Sequence, residues 1–240
     1  MSVQPPDFPP SACLRASLKH GLACEAIRHA GRHDADMPAI FDAARHLRPN
    51  RKSVERLAGR LAQVPGVVRL ARSPGDSGLV VVLRNQRHLV HRIDALDLFE
   101  ETAVVYTRVR IVSGRLGVGF DLMRASFCLH ALERLVERSD VALNRPLLAS
   151  VDAEATGLLW QMARGRVIAD AGDRLIQAVT PGVWAGGIDE TRLEDDWSLT
   201  LSDPAARIAV FSARTFLGPG QMRRAIWAKW HADPAVPVAA

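Results

Sequence analysis

The apolar residues of this chain change their period twice, and that pattern restricts the fold more than any other feature. Between Ser11 and Val64 the spacing is helical. Leu14, Leu18, Leu22 and Ala26 recur every four residues, Gly31 can close that helix, and Pro49 separates two later segments. Three helices are predicted, near 11–30, 37–48 and 51–63. From Val67 the period shortens: 67–71 and 79–83 read as a hairpin around Pro74, Gly75 and Asp76, and 102–112 as a further strand by its β-branched content. Gly114, Gly117 and Gly119 then predict a flexible turn into a helix over 120–138, followed by another over 145–164. Beyond Val167, glycine-punctuated alternation near 167–170, 174–179, 183–188, 197–201 and 206–216 reads as an antiparallel meander, closed by a helix over 221–231.

The expected class is α+β. A helical region with a small β element (11–114) precedes helices packed on an antiparallel sheet (115–232), with flexible tails at 1–10 and 233–240; one continuous domain is also compatible. Apolar residues make up 48% and charged residues 24%, which supports a packed core and excludes a disordered chain. No apolar run is long enough to cross a membrane, and Met1 to Pro10 lacks a basic stretch followed by an apolar one. Cys13, Cys24 and Cys128 fit no disulfide framework. A cytoplasmic location without a membrane partner is expected.

The formal charge is +5, and among 31 basic residues only Lys19, Lys52 and Lys229 are lysine. Guanidinium groups bind phosphate through paired donors, so RNA or another polyanion is an expected partner; an Ala- and Arg-rich chain is also what a GC-rich genome gives. In a non-catalytic nucleic-acid-binding or regulatory protein, Arg45, Arg48, Arg51, Arg56 and Arg60 of the early helices would contact phosphates. Trp160, Trp184, Trp197, Trp227 and Trp230 all fall in the last third, which leaves a protein-interaction module as a further alternative.

The segment most suggestive of chemistry runs from Ser126 to Ser139. At helical spacing Cys128, Leu132, Leu135 and Val136 share one side, and His130, Arg134 and Glu137 share the other, flanked by Glu133 and Arg138. An imidazole can move a proton near neutral pH, and a guanidinium can stabilise charge developing on phosphorus, which together suit metal-independent phosphodiester cleavage. The same residues also suit a solvated helical face laced with ion pairs. The string from His130 to Arg138 resembles the His-Ala-x-x-Arg-x-x-x-Arg helix of toxin-associated domains in the barnase/RelE-like ribonuclease superfamily. That resemblance implies a helix packed on an antiparallel sheet and an RNA-cleaving or RNA-binding role. It makes His130 an acid or base, Arg134 and Arg138 phosphate clamps, and Arg214 and Thr215 the sheet's contribution. Strand alternation puts Arg214 and Thr215 on opposite faces unless a bulge intervenes.

No cofactor or metal is expected. His20, Cys24, His29 and His33 cluster in sequence, but only His20 and Cys24 share a helical face, and His88 with His91 is a loose pair. The turn from Gly114 to Gly119 lacks the lysine and hydroxyl of a phosphate loop. Asp189, Glu190, Glu194, Asp195 and Asp196 read as a solvated hairpin loop.

Overall fold

The computed structural model describes residues 12–73, 78–93, 96–114, 117–170, 172–192 and 207–231. The tails, the strand expected at 197–201, Trp197, the acidic residues Glu194, Asp195 and Asp196, and Arg115 with Leu116 lie outside the described residues. The architecture is α+β, built from helices α1 (Ala12–Arg32), α2 (Met37–Arg45), α3 (Arg51–Leu61), α4 (Leu129–Arg138), α5 (Leu147–Ala163) and α6 (Arg224–His231). The strands are β1 (Val67–Arg72), β2 (Gly78–Ile93), β3 (Leu96–Gly114), β4 (Gly117–Cys128), β5 (Ile168–Asp170), β6 (Asp173–Gln177), β7 (Val183–Arg192) and β8 (Arg207–Leu217). They form one sheet in the order β1-β2-β3-β4-β8-β7-β6-β5. Every neighbouring pair is antiparallel except β4 and β8, which run parallel. The sheet is therefore mixed rather than purely antiparallel, and β3 and β4 pair within it as neighbours.

Two sequence expectations change in the fold. Residues 120–128 belong to β4 and are not the start of a helix. The helical reading took Gly114–Gly119 for a strand-to-helix turn, whereas Gly114 pairs with Gly117 and the ladder with β3 continues to Ala103 and Cys128. Along it Asp121, Met123, Ala125 and Phe127 alternate with Phe120, Leu122, Arg124 and Ser126, and both faces find cover. Gly31 does not end α1, which runs on to Arg32. A Cβ at Gly31 would lie 1.7 Å from Gln86 Oε1, so glycine there leaves room for the Gln86 side chain of β2.

The sheet is covered on both faces. On the first, α1, α4 and α5 pack through Ala26, Leu132, Leu135, Val151 and Leu158 onto Tyr106, Phe127, Trp184 and Phe211. On the second, α2 and α3 cover the β2–β3 side through Ile40, Phe41, Val54 and Leu57. At the far end of that second face Ile226 and Trp230 of α6 pack on Leu175, Val183 and Ala185. At full burial a Leu or Phe side chain contributes about 1.5–3 kcal/mol, so these layers hold the sheet. Glu154, 1% exposed, secures the α5 side: its carboxylate accepts from Val179 N, Thr180 N and Trp184 Nε1 at 3.0, 2.7 and 3.0 Å. Among the described residues no helix is long and apolar enough to cross a membrane.

Candidate functional site

Between α2–α3 and α6, the second face of the sheet is open where β4 meets β8. In parallel neighbours the carboxyl ends lie on one edge, where crevices form between strand ends and the helices that follow. Here Arg124 to Phe127 pair with Val210 to Ala213, and Ser126 stands beside Ser212. β4 passes directly into α4, whose N-cap residue Cys128 makes no side-chain cap. The backbone N–H groups of His130 and Ala131 lie close to the Cys128 sulfur, and the dipole end there is the favourable one for an anion. A cleft of about 470 Å³ results, lined by Glu101, Ser126, His130, Asp189, Ser212 and Arg214, with Cys128 at its back.

Arg214 reaches the cleft because β8 carries a bulge. Ala185 pairs with Thr215 while the adjacent Gly186 pairs with Ala213, so Arg214 is the extra residue. Gly186 opposite is required by the approach, since a Cβ there would lie 2.0 Å from Ser212 O. Arg214 is exposed and makes no ion pair among the described residues. Its guanidinium is available to a ligand.

His130 sits on the first turn of α4 with 54% of its side chain exposed. Its hydrogen-bonding neighbours belong to its own helix: Arg134 Nε donates to His130 Nε2 at 3.3 Å, and Glu133 lies 3.9 Å from Nδ1. What other elements supply is the cleft wall. Glu101 is the residue that sequence reasoning missed. Its carboxylate is close enough to help raise the Cys128 thiol, which burial foremost pushes up; that thiol stays protonated and donates weakly to Ala213 O at 3.8 Å. Cys128 is therefore no nucleophile here. No local signal placed Glu101 here: the β3–β4 ladder ends at Ala103 and Cys128, and α4 begins at Leu129. A helix assigned to 120–138 hid that ladder.

The remaining expected site residues do not converge on this cleft. Eight residues along a helix span about 12 Å, so Arg138 and His130 cannot hold one phosphate. Arg138 Nη1 donates to Phe216 O at 3.0 Å and to Thr215 Oγ1 at 3.3 Å, at the other end of α4. Arg134 pairs with Glu137, which Lys19 also holds at 2.6 Å. Those contacts, Lys19 first, keep the Glu137 carboxyl below the usual carboxylate range. His20 Nδ1 meets Glu133 Oε1 at 2.7 Å, and buried Arg15 donates to Val136 O and Val141 O. This side of α4 is chiefly its seam with α1. His20 and Cys24 touch at 3.6 Å, yet among the described residues no group of three or more His, Cys, Asp or Glu side chains can hold a metal.

The early arginines divide as well. A second cleft, of about 500 Å³, lies at the α2–α3 corner and is lined by His46, Arg48, Asn50, Ser53, Arg56 and Arg60. Asn50 caps α3 through Ser53 N at 2.9 Å, and Ser53 Oγ accepts from Arg48 N at 3.0 Å, which fixes the corner. Arg48 and Arg56 have no side-chain partner among the described residues, and Arg60 makes only a long contact to Ala43 O at 3.4 Å. Arg51 turns instead to Glu55, which Arg72 also holds, and Arg45 lies outside the lining. Trp184 and Trp230 are buried, and Trp227, 42% exposed, stacks on His231. Comparison with known proteins returns no match to a family model, to a curated protein or to a solved structure.

Proposed function

We propose that the protein binds RNA and cleaves it without a metal in the cleft at the carboxyl ends of β4 and β8. The observation that carries this reading is the meeting of His130, Arg214 and Glu101, from a helix and two different strands, around one cleft beside an uncapped helix N-terminus. Metal-independent cleavage needs two proton-transfer groups and a cation on the phosphate. The bond from O2′ to phosphorus forms as the bond from phosphorus to O5′ breaks. One of His130 and Glu101 takes the 2′-hydroxyl proton, the other gives a proton to O5′, and Arg214 meets the non-bridging oxygens. Incubation with a defined RNA in chelator should give fragments ending in a 2′,3′-cyclic phosphate. His130→Ala should slow the reaction by about 10²-fold or more. Absence of cleavage by the unaltered protein, or full cleavage by His130→Ala, would refute it.

The second reading, non-catalytic nucleic-acid binding, is favoured by the α2–α3 cleft, whose lining has three arginines, a histidine and no carboxylate. Three neutralised phosphates on a single strand predict a slope of about −2 in log K against log salt. Removing Arg48, Arg56 or Arg60 should each lower that slope by about 0.7. Salt-insensitive binding would exclude this surface. Salt-dependent binding without cleavage would leave the second reading in place of the first.

A further inference from the structure

Asp152, Thr156, Trp160 and Arg164 recur every four residues along α5 and just past its end, and form one stripe on the flank that the core leaves open. With Val68 and Arg69 of β1 and with Gln161 they enclose a cleft of about 540 Å³, between α5 and the β1 edge of the sheet. Pockets for small ligands run from about 300 to 1,000 Å³, so the size is sufficient.

Its lining holds one polar atom that the protein itself does not satisfy, and two more lie behind it. Five buried side-chain nitrogen or oxygen atoms lack a partner among the described residues, and three gather here: Gln161 Oε1, Arg84 Nε and Arg108 Nε. Gln161 lines the cleft. Arg84 stands behind Asp152, which it meets at 2.5 Å, and the Arg108 guanidinium lies 5.3 Å from the centre of the Trp160 ring. Buried orphans are rare in folded proteins, and the unpaired acceptor of Gln161 in the lining is open to a donor on a bound group.

The charge and shape of the lining say which group. Asp152 is neutralised by Arg84 and also accepts from the Tyr106 hydroxyl at 2.7 Å. Arg69 and Arg164 at the mouth make no ion pair among the described residues, which leaves two free guanidiniums for an anion. Trp160 offers an aromatic surface between them and the orphaned acceptor of Gln161. We propose that this cleft binds a free nucleotide, with its phosphate held by Arg69 and Arg164, its base against Trp160, and an N–H of the base donated to Gln161 Oε1. The proposal does not rest on RNA cleavage, because the two clefts share no residue.

The test uses the intact protein, calorimetry and tryptophan fluorescence, with each of the four nucleoside 5′-monophosphates and inorganic phosphate titrated separately. At least one nucleotide should bind saturably at about 0.1 mM or tighter, and phosphate alone about tenfold more weakly. Arg164→Ala, checked for an unchanged melting curve, should weaken the nucleotide by about tenfold or more. Trp160→Phe should abolish the fluorescence change while calorimetric binding persists, and His130→Ala should leave both intact. No saturable nucleotide binding, phosphate binding as tight as the nucleotide's, or unaltered affinity in Arg164→Ala would overturn the proposal.

Discussion

Arg138 and Arg214 were expected to share one task, and their surroundings predict opposite outcomes when each is replaced by alanine. Arg138 Nη1 donates to the Phe216 carbonyl at 3.0 Å, from a side chain only 24% exposed, and makes a longer contact to Thr215. A hydrogen bond from a charged donor contributes about 1.5–3 kcal/mol, and a cation in the last turn of a helix adds about 0.3–1 kcal/mol. Arg138→Ala should therefore cost about 2–4 kcal/mol, which at roughly 2 °C per kcal/mol for a chain of this length lowers Tm by about 4–8 °C. Arg214 has no ion-pair partner among the described residues and is exposed, so Arg214→Ala should stay within about 0.5 kcal/mol of the parent, or roughly 1 °C. Scanning calorimetry on the three proteins at one pH and salt concentration measures the difference. Equal melting temperatures for the two variants, or a greater loss in Arg214→Ala, would refute the assignment of Arg138 to the α4–β8 seam and of Arg214 to the cleft.

Glu154→Gln should be among the most damaging isosteric changes, because at least one of the N–H groups of Val179, Thr180 and Trp184 would then face an amide NH₂. A loss of about 2–4 kcal/mol is expected by denaturant titration, with the fluorescence of Trp184 altered. Glu137 gives the protein an acid limb. Its folded pKa is held down by Lys19 and then Arg134, so its stabilisation is complete above the unfolded carboxylate pKa of about 4.3 and is lost as pH falls through the lower folded value. The Tm difference between the parent and Glu137→Gln should thus be largest near pH 6–7 and vanish in strong acid, at about pH 2–3. A difference independent of pH would show that the Lys19 and Arg134 contacts do not set the shift.

What could be read from the sequence followed from local physics. The helices expected near 37–48 and 51–63, separated at Pro49, are α2 and α3, whose buried faces are Met37, Ile40, Phe41 and Ala44 and Val54, Leu57 and Leu61. The meander was visible from alternation, as at Leu175 and Ile176 against Ala185 and Trp184. The faces of α4 were nearly right, since Ala131, Leu132, Leu135 and Val136 are its buried residues. What was hidden depends on partners distant in sequence. Nothing near residue 120 announces that β4 will lie against β8, and nothing near Glu101 announces His130. The bulge that frees Arg214 was conceivable from strand alternation, but placing it required the pairing of Gly186 with Ala213.

The cleft also depends on long-range structure in how it is held. Strands β1 to β4 pair with neighbours in sequence and can form their ladders early, whereas β8 joins β4 through four paired positions only, Arg124 to Phe127 with Val210 to Ala213. Loop closure for such a contact is costly before packing rewards it. Its reinforcements lie at the two ends of α4: the Cys128 thiol on Ala213 O at one, and Arg138 on Phe216 O at the other. The bulge at Arg214 lies between them, so any slip of β8 past α4 moves this guanidinium relative to His130. Arg138 thereby positions a group it never touches, by keeping the strand that bears Arg214 seated against the helix that bears His130.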